Sequence, residues 1–305
     1  MRNGNRDIYQ EVTNRIVEAL ERSVVPWVRP WRSGCGAQRN EATGRPYSGV
    51  NTILLWLTQT ERGYSSSEWY TYRQAKELGG QVCRGERGTR IVFFSPVEIT
   101  ERVKHEDGRE EEVRRRIPVA RSYYVFNRGQ INGLPKPETT EDRPEPERIA
   151  AVDGFVARVG AQIRHGGDRA FYCTTEDYIQ VPPLALFESA EAYHATVLHE
   201  TIHWTGVESR LAREFGKRFG DDAYAVEELV AELGSAFACE GLGISGRLRH
   251  AEYLASWLKI LKADKRAIFT AARRAQESHE FLRGLAGSRE AATPRGGERT
   301  RSESA

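Results

Sequence analysis

The chain has 305 residues, 39% apolar and 29% charged, with a formal net charge of +2. That composition supplies apolar residues for two modest cores, and no stretch approaches the ~18 apolar residues of a membrane span or the apolar run of a signal peptide. Cys35, Cys83, Cys173 and Cys239 lie far apart with no C-x-x-C, which argues against a zinc ribbon or a disulfide framework and fits reduced thiols in the cytoplasm.

Charge is uneven along the chain: the front half is basic and the back half slightly acidic, as in two domains with different partners. Ile8, Val12, Ile16 and Leu20 recur every four residues and predict an amphipathic helix over 7–24, ended by Pro26 and Pro30. A Pro/Trp-rich extended segment (26–31) and a Gly/Arg-rich loop lead to Asn51. Helices are expected over 53–60 and 69–78, and strands over 91–94 and 121–126. A charge-dense hairpin or loop is expected around Asp107-Gly108. Residues 134–148 hold four prolines and few apolar residues and read as a linker. The expected domains are 1–133 and 149–286, followed by a disordered tail over 287–305. The second domain should carry helices over 149–163, 189–205, 222–239 and 250–278, with a short hairpin made of 169–173 and 177–181. The class is α+β: a small mixed N-terminal domain, then a mainly helical domain with a short sheet.

The strongest chemical signal is His199-Glu200-Thr201-Ile202-His203. On a helix, positions i and i+4 share a face, so both imidazoles reach one ion and the glutamate sits beside it as a general base. A zinc site needs a third protein ligand and leaves a fourth position for water. Downstream, 226–233 offers Glu227, Glu228 and Glu232. This segment resembles the E-x-x-A-D pattern of gluzincin metallopeptidases. By that resemblance Glu228 is the third ligand, and Glu232 steadies a ligand histidine through its other ring nitrogen. Glu227 is expected to be an ordinary exposed helix residue paired with Lys or Arg. Segment 177–181 is either an edge strand that holds a peptide or a plain core strand. Tyr172, Tyr193 and Tyr224 are conceivable oxyanion stabilisers, with packing the simpler role for each.

Trp27, Trp31, Trp56 and Trp69 fall in the front half among many arginines. Cations neutralise phosphates and aromatic faces stack on unpaired bases, which suits single strands better than duplex. Composition equally allows buried tryptophans and solvated arginines. The series Tyr9, Val12-Thr13, Ile16, Leu20, Pro26-Trp27 and Pro30-Trp31, then Thr43-Gly-Arg-Pro-Tyr-Ser-Gly-Val-Asn51, Trp69-Tyr-Thr-Tyr-Arg-Gln-Ala75 and Val82-Cys-Arg-Gly-Glu-Arg-Gly88, resembles the N-terminal domain of ArdC-type antirestriction proteins. The segments around 199–206, 224–237 and 253–262 are similar to the metallopeptidase domain of the same family.

The resemblance implies a cytoplasmic, mobile-element protein with a non-specific single-stranded-DNA-binding domain and a zincin-like domain, which protects incoming conjugative DNA from restriction. It implies Zn²⁺ (Mn²⁺ or Co²⁺ also suit the donors) on His199, His203 and Glu228, with Glu200 catalytic. DNA contact would fall to Arg45, Tyr47, Asn51, Trp69, Gln74, Arg84 and Arg87, although Asn51 and Gln74 equally suit bonds to local backbone. The protein substrate is unspecified. Two alternatives stay open: a pure single-strand binder with a structural or vestigial metal, and a metalloprotease whose basic domain docks a protein partner.

Overall fold

The computed structural model describes residues 7–28, 37–104, 110–135, 145–244 and 253–292. The expected extended segment at Pro30-Trp31, the turn at Asp107-Gly108, most of the linker and the tail from 293 lie outside these. The class is mixed α+β, as expected, with a sheet in the N-terminal part and helices in the C-terminal part. The chain forms two compact units: Met1–Trp27, Cys35–Thr140 and Leu254–Phe269 make one, and Val28–Gly34, Glu141–Tyr253 and Thr270–Ala305 the other. No described helix is long and apolar enough to cross a membrane.

In the first unit, helix α1 (Ile8–Glu21) is capped by Asp7, whose carboxylate accepts from the Gln10 N–H, and buries Ile16, Ala19 and Leu20. Short strands β1 (Arg39–Asn40) and β2 (Arg45–Pro46) precede helix α2 (Val50–Arg62) and strand β3 (Glu68–Tyr70). The helix expected over 69–78 is shorter and starts later: α3 (Tyr72–Glu77) begins after Thr71 in a capping box with Gln74. The aromatic residues ahead of it pair in the sheet instead. After β4 (Gln81–Val82), the strands expected over 91–94 and 121–126 become a long ribbon of β5 (Thr89–Lys104) and β6 (Glu110–Asn127), followed by β7 (Ile131–Asn132). The sheet runs β2-β1-β3-β6-β5, so β5 is an edge. Asn51 closes that edge at Val92, donating to its carbonyl and accepting from its N–H, both at 2.8 Å. Outward-facing backbone at Val92 makes Val92–Ser122 a pair without ladder bonds. The same parity holds four residues on, where Pro96 and Pro118 stand opposite each other.

The core under α2 joins Leu55, Trp69, Ile91 and Val125, and the other face of the sheet joins Tyr70, Ala75, Val82 and Ile131. Helix α8 (Leu254–Ala263) also belongs to this unit; Trp257 meets Trp27 edge-on at 5.8 Å, and Thr13 donates to the Lys265 carbonyl at 2.8 Å.

The second unit opens with α4 (Glu145–Val159), which Gly160 ends at φ +76°, so that Ile163 falls in strand β8 (Gln162–His165) rather than in the expected helix. Strands β9 (Phe171–Cys173) and β10 (Tyr178–Val181) form the expected hairpin, and β8 adds a parallel partner to give the order β8-β10-β9. Helices α5 (Ala190–Trp204), the single turn α6 (Gly216–Phe219) and α7 (Ala223–Leu242) follow. The one helix expected over 250–278 is two, α8 and α9 (Ala267–Ala292); between them the Asp264 carboxylate accepts from the Arg266 N–H and starts the second. Helix α9 continues through Ala292, beyond the expected start of the tail.

His279 on α9 is 8% exposed and its Nδ1 lacks a hydrogen-bond partner. Burial, helped by the Arg283 charge, pushes its pKa from 6.5 to about 4. The unfolded chain therefore takes up a proton on acidification that the folded chain refuses. His279 costs nothing above pH 6.5 and progressively destabilises as pH falls toward 4, by roughly 3 kcal/mol in all. His279→Leu should flatten this part of the acid profile, read by urea unfolding at stepped pH; parallel profiles would refute the assignment. Trp69, fully buried with its indole N–H on Gln38 at 2.7 Å, is a core residue. Trp69→Ala should cost about 3–5 kcal/mol in the same assay.

Candidate metal centre and its cleft

Ser189 accepts from the Ala192 N–H at 3.1 Å and starts α5, whose Ala195, Leu198 and Ile202 are fully buried. His199 and Glu200 are buried too, at 3% and 8% exposure, so the motif sits in a packed helix where its polar groups need partners. Helix α7 supplies them. A Cβ on Gly234 would lie 2.8 Å from the Ile202 side chain, so α7 comes close enough to α5 there that only glycine fits without a shift.

Glu228, 6% exposed, then faces both imidazoles: its carboxylate oxygens lie 3.5 Å from His199 Nε2 and 3.5 Å from His203 Nε2, and the two Nε2 atoms are 3.2 Å apart. Three ligand atoms of His199, His203 and Glu228 fall within 4.8 Å of one another, a donor set that fits a divalent cation. Burial alone would raise the Glu228 carboxyl, but the His199 bond and the charges of His203 and His199 hold it below the ordinary range.

Glu227 corrects the sequence reading. It is partly buried rather than an ordinary exposed residue, and its carboxylate lies 3.2 Å from His203 Nδ1. Adjacent helical residues point about 100° apart, so Glu227 and Glu228 address His203 through opposite ring nitrogens. Behind Glu227 stands Arg213, 1% exposed, with Nε 3.0 Å from Glu227 Oε2. The same guanidinium donates to Ser278 Oγ and to the Ile202 carbonyl, both at 2.8 Å, and to Thr205 Oγ1. It fits because residue 206 is glycine; a Cβ there would meet it at 2.6 Å. No motif flags Arg213, which is remote in sequence from both acids. Burial disfavours charge on Glu227 and His203, but their mutual bond, with Arg213 beside Glu227, holds Glu227 below and His203 above their ordinary ranges. Glu232 is buried one turn beyond Glu228.

These residues open on a cleft of about 700 Å³ walled by Phe171, Tyr172, Val207, Phe215, Tyr224 and Tyr253. Strand β10, weighed as a peptide-holding edge, is central, with Ile179 and Val181 fully buried; the edge strand on the cleft is β9. Tyr172 donates to Asp177 at 2.7 Å and accepts from Arg210 at 2.8 Å, and Tyr193 is bonded to His165 at 2.7 Å. Tyr224, 64% exposed and bonded to Tyr253 at 3.2 Å, stands in the cleft wall; that bond and the nearby Glu228 charge raise its pKa.

In the first unit the expected DNA residues divide. Trp69 is core, and Asn51 is spent on Val92. Gln74 caps α3 and exchanges amide bonds with Asn40 at 3.1 and 3.2 Å. Tyr47 is half-buried against the α2 core, and burial raises its pKa. Arg45, Arg84 and Arg87 are exposed. A buried indole and occupied amides offer nothing to a base, so Trp69, Asn51 and Gln74 are better explained by folding.

Residues 150–274 match the zincin-like metallopeptidase family, and residues 6–126 match the N-terminal domain of the anti-restriction factor ArdC. The fold and site thus define a protein that joins an ArdC N-terminal domain to a zincin-like metallopeptidase domain. The chain is 41% identical over 282 residues to an uncharacterised protein, y4eC, of Sinorhizobium fredii (strain NBRC 101917 / NGR234), covering 90% of this chain and 91% of that one. It is 36% identical over 292 residues to a DNA primase TraC of Escherichia coli, covering 91% of this chain and 27% of the primase. Two crystal structures of the antirestriction protein ArdC from plasmid R388 superpose well. The metal-free form has TM-score 0.75 and 43% identity; the Mn(II)-bound form has TM-score 0.73 and 42% identity. Each covers 92% of this chain and 98% of the plasmid protein. The chain belongs to the ArdC family of antirestriction proteins.

Oriented ligands bind metal better, and removing an outer partner typically costs ~10–100-fold in affinity. Glu227→Gln should therefore weaken divalent-metal binding by about that factor while leaving one site, whereas Glu228→Ala should abolish the site. Calorimetric titration with Mn²⁺ and Zn²⁺ separates the two, and wild-type affinity in Glu227→Gln would remove Glu227 from the centre.

Proposed function

We propose that this protein binds single-stranded DNA through its N-terminal unit and carries a zinc-dependent peptidase centre in the other, protecting entering conjugative DNA from host restriction. The observation that carries the peptidase half is the convergence of His199, His203 and Glu228 beside Glu200 in one cleft. In this reading His199, His203 and Glu228 hold Zn²⁺, for which Mn²⁺ can substitute, and Glu227 orients the His203 imidazole. A divalent ion there supplies Lewis acidity, polarising a carbonyl and acidifying water. Glu200, buried beside the imidazoles, takes the proton of the attacking water and returns it to the leaving amine. Tyr224, a protonated hydroxyl in the cleft wall, donates to the oxygen on which charge develops. A peptide lies along β9, extending the sheet by one strand.

Support for the DNA half comes from the family match and from relatives named as DNA primases and as an antirestriction protein of a plasmid. Restriction acts on DNA inside the cell, so the reading places the protein in the cytoplasm.

Glu200→Gln keeps the three ligands and removes the base. It should bind metal and oligonucleotide as the wild type does, yet lose antirestriction in a conjugation assay between restricting and non-restricting hosts. Full protection by that variant would end the peptidase account and leave a binding protein with a structural metal.

A further inference from the structure

Burial along the ribbon stops abruptly. Ile91 and Val92 are 2% and 3% exposed, whereas Phe93 and Phe94 are 47% and 46%. Residues opposite each other on antiparallel strands share a face. The register sets Ile91 against Tyr123 and Phe93 against Arg121, so Phe93, Tyr123 and Arg121 lie together on the face that continues from the α2 core. Phe93 and Tyr123 meet edge-on at 5.4 Å, and Tyr123 is 45% exposed.

The opposite face is engaged. Phe94 packs on Tyr9 and Phe269, Tyr124 accepts from Arg90, and Arg90 pairs with Glu11. By contrast, among the described residues Phe93 and Tyr123 have no other ring partner. Further out, Arg116 pairs with Glu98 at 2.9 Å and Arg115 with Glu101 at 3.5 Å. Arg121, beside the two rings, has no carboxylate partner among the described residues.

We propose that Phe93, Tyr123 and Arg121 form a stacking platform for single-stranded DNA, the rings receiving unpaired bases and the guanidinium a phosphate. This rests on the single-strand reading above and names its site. The observations favour a single strand over duplex, because duplex bases already cover one another's faces. They also favour it over an apolar protein partner, because covering the exposed Arg121 beside the rings with apolar surface would cost desolvation that a phosphate repays. The platform differs from every residue that the sequence nominated, and it is assembled by register from two strands about thirty residues apart.

The test uses the full chain, fluorescence anisotropy with labelled oligo(dT), and a salt series. Phe93→Ala and Tyr123→Ala should each weaken binding about tenfold or more. Arg121→Ala should lower the slope of log affinity against log salt by about 0.7. Phe93→Leu and Tyr123→Leu keep apolar bulk without a π-face and should show the same loss; they guard against misfolding of the alanine variants, as circular dichroism will report. Leu78→Ala, an exposed apolar residue off the ribbon, should bind as wild type. Oligonucleotides carrying 5-bromodeoxyuridine should photo-crosslink to Tyr123 despite excess duplex. Wild-type affinity in all three platform variants would overturn the platform while leaving single-strand binding intact. A wild type that binds single strands no better than duplex would overturn both.

Discussion

The second unit depends on the closeness of α5 and α7. Two imidazoles and four acidic side chains packed at a largely buried helix crossing are tolerable only if each compensates another. That compensation requires Glu228 to reach two ring nitrogens at once, which follows from Gly234 letting Ile202 settle against α7. The motif residues on α5 are therefore half of a structure whose other half is a helix crossing. Phe171 and Tyr172 from β9 and Val207 from the turn after α5 wall the space that this crossing leaves.

Arg213 extends the same logic outward. A guanidinium with five donors can be buried only where acceptors surround it. Here they come from the end of α5, from α7 and from α9: Thr205 and Ile202, Glu227, and Ser278. The orientation of the His203 imidazole is thereby tied to three elements, and the tightness of the site is a property of the unit rather than of a loop.

What could be read from the sequence follows from how local the cause was. The α5 helix, the shared face of His199 and His203 and the hairpin after α4 follow from periodicity and spacing within a few residues. Glu227 and Arg213 were missed because their roles exist only after distant segments meet. In the front half, aromatic and amide residues were read as a binding surface because composition does not distinguish a core tryptophan from a stacking one; the Gln38 carbonyl waiting for the Trp69 indole decides that case. The ribbon extends well past the strands legible at 91–94 and 121–126 because Glu- and Arg-rich stretches match no strand template. Their pairing is cross-strand, with Arg116 against Glu98 and Arg102 against Glu112, and is invisible along one strand.

The facing prolines of that ribbon have a consequence for the protein's life in a crowded solution. A long two-stranded ribbon offers bare backbone on both flanks, an open invitation to another copy to add a strand. Pro96 and Pro118 occupy the parity at which the backbone N–H would point outward, so each flank loses a donor at the same level without the ladder losing a bond. The ribbon is thereby gated against polymerisation near its middle, which allows an exposed aromatic face to be displayed without seeding aggregates.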